Sequence, residues 1–149
     1  MSGESGGGFG DALVVDASVV AKWYLEEEAH QRAARILEAG RSGDTRLIAP
    51  VIALAEFGNV LWQRNRREEL TRDEIGEVWK AFSAAPITLV GITSLMPPAL
   101  DIALDSGCAV YDALYLALAE AREAKLVTAD GKLVRTLEGS SFANSVVAL

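Results

Sequence analysis

Apolar positions along this chain fall in short runs set between longer stretches with helical spacing. LVVD (13–16) has the length and composition of a buried strand, and SVVAKWYL (18–25) reads as a short helix. Residues 28–39 carry their apolar positions on one face of an amphipathic helix that Gly40 is expected to stop. RLIAP (46–50) predicts a second strand ended by Pro50, followed by a helix from Ala53 to about Arg64. Thr71 and Glu74 have the spacing of a capping box, in which each side chain meets the other's backbone N–H, and predict a helix running to about Ala85. ITLVGI (87–92) predicts a third strand, and Pro97 and Pro98 suit the first turn of a helix that ends before Gly107. The helix expected over Tyr111 to Ala124 is strongly apolar, with Leu114, Leu116, Ala117 and Leu118 leaving it little polar surface. KLVTA (125–129) and SVVAL (145–149) complete the pattern as fourth and fifth strands.

Strands alternating with helices imply crossover connections, hence a mostly parallel sheet of four to five strands with helices on both faces. The expected fold is a three-layer α/β/α sandwich. Ligands in such sheets bind beyond the carboxyl ends of the strands. No internal repeat or second domain is visible. The first ten residues, MSGESGGGFG, are rich in Gly and Ser and read as a flexible extension ahead of one domain over 11–149. They include a G-x-S-x-G, Gly3 to Gly7, but neither a strand-to-helix turn nor a histidine partner accompanies it.

The chain has 21 acidic residues, and their surroundings sort them. Glu26–Glu28, Glu68, Glu69, Asp73 and Glu74 lie in polar stretches, and Asp101 and Asp105 share the outer face of one helix. Four others interrupt apolar sequence: VVD16ASVV, ALAE56FGNVL, AVYD112ALYLALA and LVTAD130GKL. Carboxylates in apolar surroundings are costly unless paired, hydrogen-bonded or bound to metal. Asp16 ends the first strand and Asp130 follows the fourth. Glu56 lies one turn into the helix after the second strand, and Asp112 in the first turn of the most apolar helix. All four can therefore face one pocket at the strand ends. Like charges repel there, and divalent cations relieve the repulsion; oxygen-only ligands favour Mg²⁺ or Mn²⁺, while no His/Cys set exists for zinc. The alternative is that each acid caps a helix or a turn, which for Asp16 and Asp130 taken singly is a plain explanation.

With 149 residues the chain suits one domain with a genuine core. One cysteine makes no internal disulfide and points to a reducing cytosol, no apolar run approaches the ~18 residues of a membrane helix, and Met1–Gly10 lacks the apolar core of a signal peptide. The formal charge of −7 argues against nonspecific nucleic-acid binding. Cations bound at the acidic site would offset part of that charge. The basic residues also cluster, with Arg64, Arg66, Arg67 and Arg72 close together as either a solvated helix end or an RNA-contacting patch.

The segments VVDASVVAKWYLEEE, APVIALAEFGNVL, VYDALYLALAE and LVTADGKL, in this order and over essentially Leu13–Leu149, resemble the PIN-domain ribonucleases, specifically VapC-type toxins of toxin–antitoxin pairs. The resemblance implies an endoribonuclease with an acidic quartet bearing Mg²⁺ or Mn²⁺, with Asp16, Glu56, Asp112 and Asp130 in the matching positions. On that reading Asp16 and Asp112 are the principal metal ligands, and Glu56 and Asp130 complete the set directly or through water. Ser18 matches the family's small hydroxyl residue two positions after the first aspartate, and Asn59 a position often filled by Asn one turn beyond the glutamate. The family further implies a homodimer and a small VapB-like antitoxin whose C-terminal segment blocks the pocket. Thr128 alternates onto the side of Asp130 along its strand and is either a neighbour of the site or an ordinary strand residue.

Other candidates carry less chemistry. His30 sits in a polar helix, and no Ser or Cys triad can be built around it. Cys108 reads as a small buried hydrophobe, and Trp23, Trp62 and Trp79 as core or dimer contacts rather than base-stacking platforms. Gly131-Lys132 lacks the glycine spacing and Ser/Thr of a phosphate-binding loop, and no G-x-G-x-x-G follows the first strand. A receiver-like regulatory Mg-binding domain would need an aspartate ending its third strand, where ITLVGI has none. A phosphate-ester hydrolase with an aspartyl nucleophile would need an acid at Ser18.

Overall fold

The computed structural model of the chain describes residues 8–25 and 28–149. The readings of Gly3–Gly7 and of Glu26 and Glu27 fall outside these residues. In chain order the elements are β1 (Ala12–Val15), α1 (Ala17–Tyr24), α2 (His30–Ser42), β2 (Arg46–Pro50), α3 (Ala53–Arg66), α4 (Arg72–Ser83), β3 (Ile87–Val90), α5 (Met96–Ser106), α6 (Val110–Ala121), β4 (Lys125–Thr128), α7 (Gly131–Leu137) and β5 (Val146–Ala148).

The five strands form one sheet in the order β3-β2-β1-β4-β5, with every neighbouring pair parallel. Alternation of side chains along the strands divides the core into two layers. Val14, Ile48 and Leu126 pack with α5, α6 and Leu133 and Leu137 of α7. Leu13, Val15, Leu47 and Val127 pack on the other face with α1, α2, Phe57 and Leu61 of α3, and Phe82 of α4. This is the three-layer α/β/α sandwich expected from the sequence. The apolar character of α6 is explained by burial of every side chain from Ala113 to Ala119. Among the described residues no single helix is long and apolar enough to cross a membrane.

Three local expectations are corrected. Gly40 does not stop α2, which continues to Ser42 and ends at Gly43 in the left-handed conformation, φ 84°. Gly40 is instead a packing glycine: a Cβ there would lie 2.6 Å from Leu47 Cδ1 and 3.4 Å from Pro86 Cγ. The third strand ends at Val90, two residues early. A seven-residue helix, α7, follows Asp130 where the sequence reading placed no element. The capping box of Thr71 and Glu74 and the Gly107 terminus of α5 stand as expected. At the N-terminal boundary Phe9 packs on the second core layer, and the Gly10 carbonyl accepts the Thr45 hydroxyl at 2.8 Å.

The chain order reverses beside β1: successive crossovers lead outward to β2 and β3, and the next strand, β4, returns to the other side of β1. A crevice opens beyond the carboxyl ends of β1 and β4 at such a switch point. Asp16 directly follows β1, and Asp130 lies two residues beyond β4.

Candidate active site

Asp16 is the N-cap of α1. Its Oδ1 accepts the backbone N–H groups of Ser18 and Val19 at 3.0 and 3.2 Å, satisfying donors that the first turn of a helix leaves open. The Ser18 hydroxyl donates to the same oxygen at 2.5 Å, and the Thr128 hydroxyl donates to Oδ2 at 2.5 Å. Ser18 in turn accepts the Ala129 N–H at 2.9 Å and Thr128 accepts the Asp130 N–H at 3.0 Å, so the two hydroxyls stitch β1 to the end of β4. Thr128 is fully buried and belongs to this network rather than to an ordinary strand surface. Asp16 is itself only 8% exposed, and burial raises its pKa against four hydrogen bonds that lower it.

Asp130 caps α7 in the same way, its Oδ1 accepting the N–H groups of Lys132 and Leu133 at 3.0 and 3.3 Å. The plain capping explanation is therefore true of both aspartates. It uses Oδ1 in each case and does not account for Glu56 or Asp112, which sit in the first turns of α3 and α6 without capping them.

Glu56 is half-buried, and its Oε1 accepts the hydroxyl of Tyr115 from α6 at 2.5 Å. Burial raises the Glu56 pKa most, and the charges of Asp112 and Asp16 raise it further, while the Tyr115 hydrogen bond opposes them. Asp112 is raised by burial, then by Asp130 and Asp16, with Lys132 opposing. Asp16, Glu56 and Asp112 thus stand within electrostatic reach of one another, and Asp130 is felt by Asp112. Among the described residues no three His, Cys, Asp or Glu side chains converge tightly enough in this conformation to hold a metal ion. Asp112 thus feels both Asp16 and Asp130, and Glu56 feels Asp16 and Asp112.

Tyr115 was missed by sequence reasoning. It hides in the apolar run of α6, yet it stands three residues after Asp112, the spacing that puts two side chains on one helix face. Burial first, then the Glu56 charge, pushes its hydroxyl far above the ordinary tyrosine range, so it remains a proton donor at any working pH. Asn59 is exposed on α3 and lines a cleft beside Glu56 together with Ile52, Ala55 and Tyr111.

The remaining sequence candidates lie elsewhere. His30 is exposed at the start of α2, and Cys108 is buried. The Trp23 indole donates to the Ala33 carbonyl at 2.9 Å, tying α1 to α2. Trp79 stacks on Phe57 at 6.2 Å. Trp62 is exposed, with the Arg66 guanidinium 5.0 Å above its ring. Arg64 pairs with Glu69 at 3.4 Å. The basic run is thus at the far end of α3 from Glu56.

A family profile described as PIN domain matches residues 13–138. Ribonuclease VapC3 of Pyrobaculum aerophilum is 36% identical over 125 residues, covering 81% of this chain and 91% of that protein. Among solved structures, the crystal structure of PAE2754 from Pyrobaculum aerophilum has a TM-score of 0.63 at 23% identity, covering 87% of this chain and 89% of that one. A chain of a toxin–antitoxin complex from Klebsiella pneumoniae has a TM-score of 0.61 at 14% identity, covering 91% and 95%. At such identities the two structures speak to the fold, and they share it. Because the profile match runs from β1 into the turn after α7, and the curated relative is matched along nearly its whole length, the chain belongs to the PIN-domain family, among its VapC-type members.

Proposed function

We propose that this chain is a metal-dependent endoribonuclease that hydrolyses RNA phosphodiester bonds at Asp16, Glu56, Asp112 and Asp130, and that it is the toxin of a type II toxin–antitoxin pair acting in the cytoplasm. The observation that carries the reading is the repulsion among Asp16, Glu56 and Asp112 at the switch point of the sheet, where burial raises all three and, among the described residues, Lys132 beside Asp112 is the one cation opposing it. The curated relative's name, a ribonuclease, and the toxin–antitoxin title of the Klebsiella pneumoniae complex support the activity and the antitoxin partner. A homodimer completes the proposal by family likeness.

The donor chemistry fits a hard divalent cation: carboxylate oxygens only, their charge opposed among the described residues by Lys132 alone. Asp16 and Asp112 would be its principal ligands, with Glu56 and Asp130 completing the set. When bound, Mg²⁺ or Mn²⁺ supplies a water of lowered pKa and neutralises charge on the attacked phosphodiester. The chain's own residues prepare that chemistry. The Ser18 and Thr128 hydroxyls and the α1 N-terminus hold the Asp16 carboxylate in one orientation. Tyr115 holds one oxygen of Glu56 and leaves the other for the crevice. With capping bonds on Oδ1, Asp130 keeps Oδ2 for the site.

The test is cleavage of total RNA by the purified chain with Mg²⁺ or Mn²⁺, abolished by chelator and restored by excess metal. Asp16→Asn and Asp112→Asn are expected to abolish cleavage with the fold retained. Full activity in either variant, or activity indifferent to chelator, refutes the assignment. Expression is expected to arrest growth and a small neighbouring gene product to rescue it; harmless expression of active enzyme would point to RNA processing instead.

A further inference from the structure

The cleft on the Glu56 side of the crevice, about 470 Å³, is lined by Ile52, Ala55, Glu56, Asn59 and Tyr111. Tyr111 immediately precedes Asp112 in the first turn of α6, yet its side chain is 62% exposed. It is absent from both core layers, and among the described residues it takes part in no ring–ring contact. A large apolar ring held in water beside an acidic site has no folding role to explain it. Ile52 and Ala55 add aliphatic surface, and Asn59 offers a carboxamide, which carries two donors and an acceptor.

We propose that Tyr111 and Asn59 form a nucleobase shelf, Tyr111 stacking the base of a nucleotide next to the cleaved bond and Asn59 reading its edge. The inference rests on the ribonuclease reading and names the part of the substrate that this wall takes. Charge decides which part. Glu56 borders the cleft, so a phosphate would be repelled there, whereas a base is neutral and presents a stacking face together with polar edge atoms. An aromatic platform with a hydrogen-bonding amide is the usual way an unpaired RNA base is held and distinguished. The cleft is continuous with the candidate catalytic carboxylates through Glu56, so a base seated in it brings its own phosphate towards them. Tyr111 and Asn59 are then specificity-determining residues.

The experiment measures fluorescence anisotropy of four labelled homotetraribonucleotides, A, C, G and U, on the Asp112→Asn chain, so that binding is read without cleavage. In that background Tyr111→Ala is expected to weaken the tightest oligonucleotide about ten- to a hundredfold, as loss of one stacking contact does. Tyr111→Phe should stay within about twofold, and Asn59→Ala should compress the spread of affinities among the four bases. Because Tyr111 is exposed, its replacement should leave the circular dichroism spectrum unchanged. Equal affinities for Tyr111→Ala and its parent overturn the proposal. So does a Tyr111→Ala chain that halves in mass by light scattering, since the ring would then serve a second copy. Tyr111-dependent binding by a wild-type chain that cleaves no RNA would keep the shelf and remove the nuclease. Cleavage by wild type with unaltered binding in Tyr111→Ala would do the reverse.

Discussion

Thr128→Val isolates the chemistry of the buried hydroxyl at the switch point. Valine has the shape of threonine, so no cavity forms and the cost is polar. The substitution removes the donor to Asp16 Oδ2 at 2.5 Å and the acceptor for the Asp130 N–H at 3.0 Å. A hydrogen bond to an ionised group contributes about 1.5–3 kcal/mol, and a stranded backbone N–H with partial access to water adds up to ~1 kcal/mol. A loss of roughly 2–4 kcal/mol follows wherever Asp16 is ionised, which for a domain of this size lowers Tm by roughly 4–15 °C. The pH dependence is diagnostic. The Thr128 bond lowers the Asp16 pKa against the raising effect of burial, so the variant's Asp16 titrates still higher than the wild type's. A folded-state pKa above the unfolded value favours folding most below the unfolded pKa, and that advantage is lost as pH rises through the folded one. The deficit of Thr128→Val is therefore largest where Asp16 is ionised and shrinks, as pH falls from neutral towards the ordinary carboxylate range, while Asp16 takes up its proton. Urea melts of the metal-free chain across that range measure it, with Thr128→Ser as control: it keeps the hydroxyl and loses one methyl, costing ~1 kcal/mol at every pH. Coincident melts of Thr128→Val and wild type at pH 7, or a deficit that does not change with pH, refute the reasoning.

The metal-free wild-type chain should grow more stable as pH falls through the raised carboxylate pKa values towards the ordinary carboxylate range, because Asp16, Glu56 and Asp112 all bind protons more readily folded than unfolded; calorimetry showing a monotonic loss over that window would contradict it. Asp112→Asn should raise the metal-free Tm at pH 7 and lose most of the stabilisation that Mg²⁺ gives wild type, whereas Asp16→Ala, which strips a cap worth about 0.5–2 kcal/mol and two hydroxyl partners, should lower Tm; shifts of the same sign would argue against the division between capping and non-capping acids. Tyr115→Phe should reduce kcat roughly tenfold with KM nearly unchanged, since it frees Glu56 without touching the substrate surface; an unchanged kcat would remove its positioning role. Gly40→Ala, which in an ordinary helix interior stabilises by up to ~1 kcal/mol, should here lower stability by about 1 kcal/mol, because a Cβ 2.6 Å from a buried Leu47 methyl costs ~1–3 kcal/mol in overpacking; a raised Tm would show that Leu47 yields freely.

The legible and illegible parts of the sequence divide by the range of the interactions involved. Each strand's apolar run and the Thr71–Glu74 box are local signals, and the elements they predict are present. Gly40 misled because a helical glycine means either a stop or a close approach, and only Leu47 and Pro86, brought up by the fold, decide between them. Helix α7 escaped because its seven residues span barely two turns, too few for a period to show, although Asp130 stands there as its cap. At the site, Asp16, Glu56, Asp112 and Asp130 stood out as charges in apolar sequence, an anomaly visible without coordinates. Tyr115 did not, since a tyrosine is not unusual in an apolar helix, and Thr128, placed on the side of Asp130 by strand alternation, left two readings open. Their roles come from partners 112 and 59 residues away in the chain.

How so acidic a crevice folds at all follows from what surrounds it. The four carboxylates occupy the caps or first turns of α1, α3, α6 and α7, and so each stands at the partly positive end of a helix. Two of them, Asp16 and Asp130, satisfy backbone donors that would otherwise need another partner, so folding retains them whether or not a cation is present. The other two, Glu56 and Asp112, satisfy no cap and are opposed by burial and by their neighbours. A chain selected for stability alone would gain more by replacing these two with neutral residues of similar size than it lost in helix-end charge and in the Tyr115 hydrogen bond, which a glutamine at 56 could still accept. On the proposed function these two acids answer a demand other than stability on α3 and α6, the helices that also carry Tyr115, Asn59 and Tyr111, whereas Asp16 and Asp130 would serve the same site from positions that their capping bonds already fix.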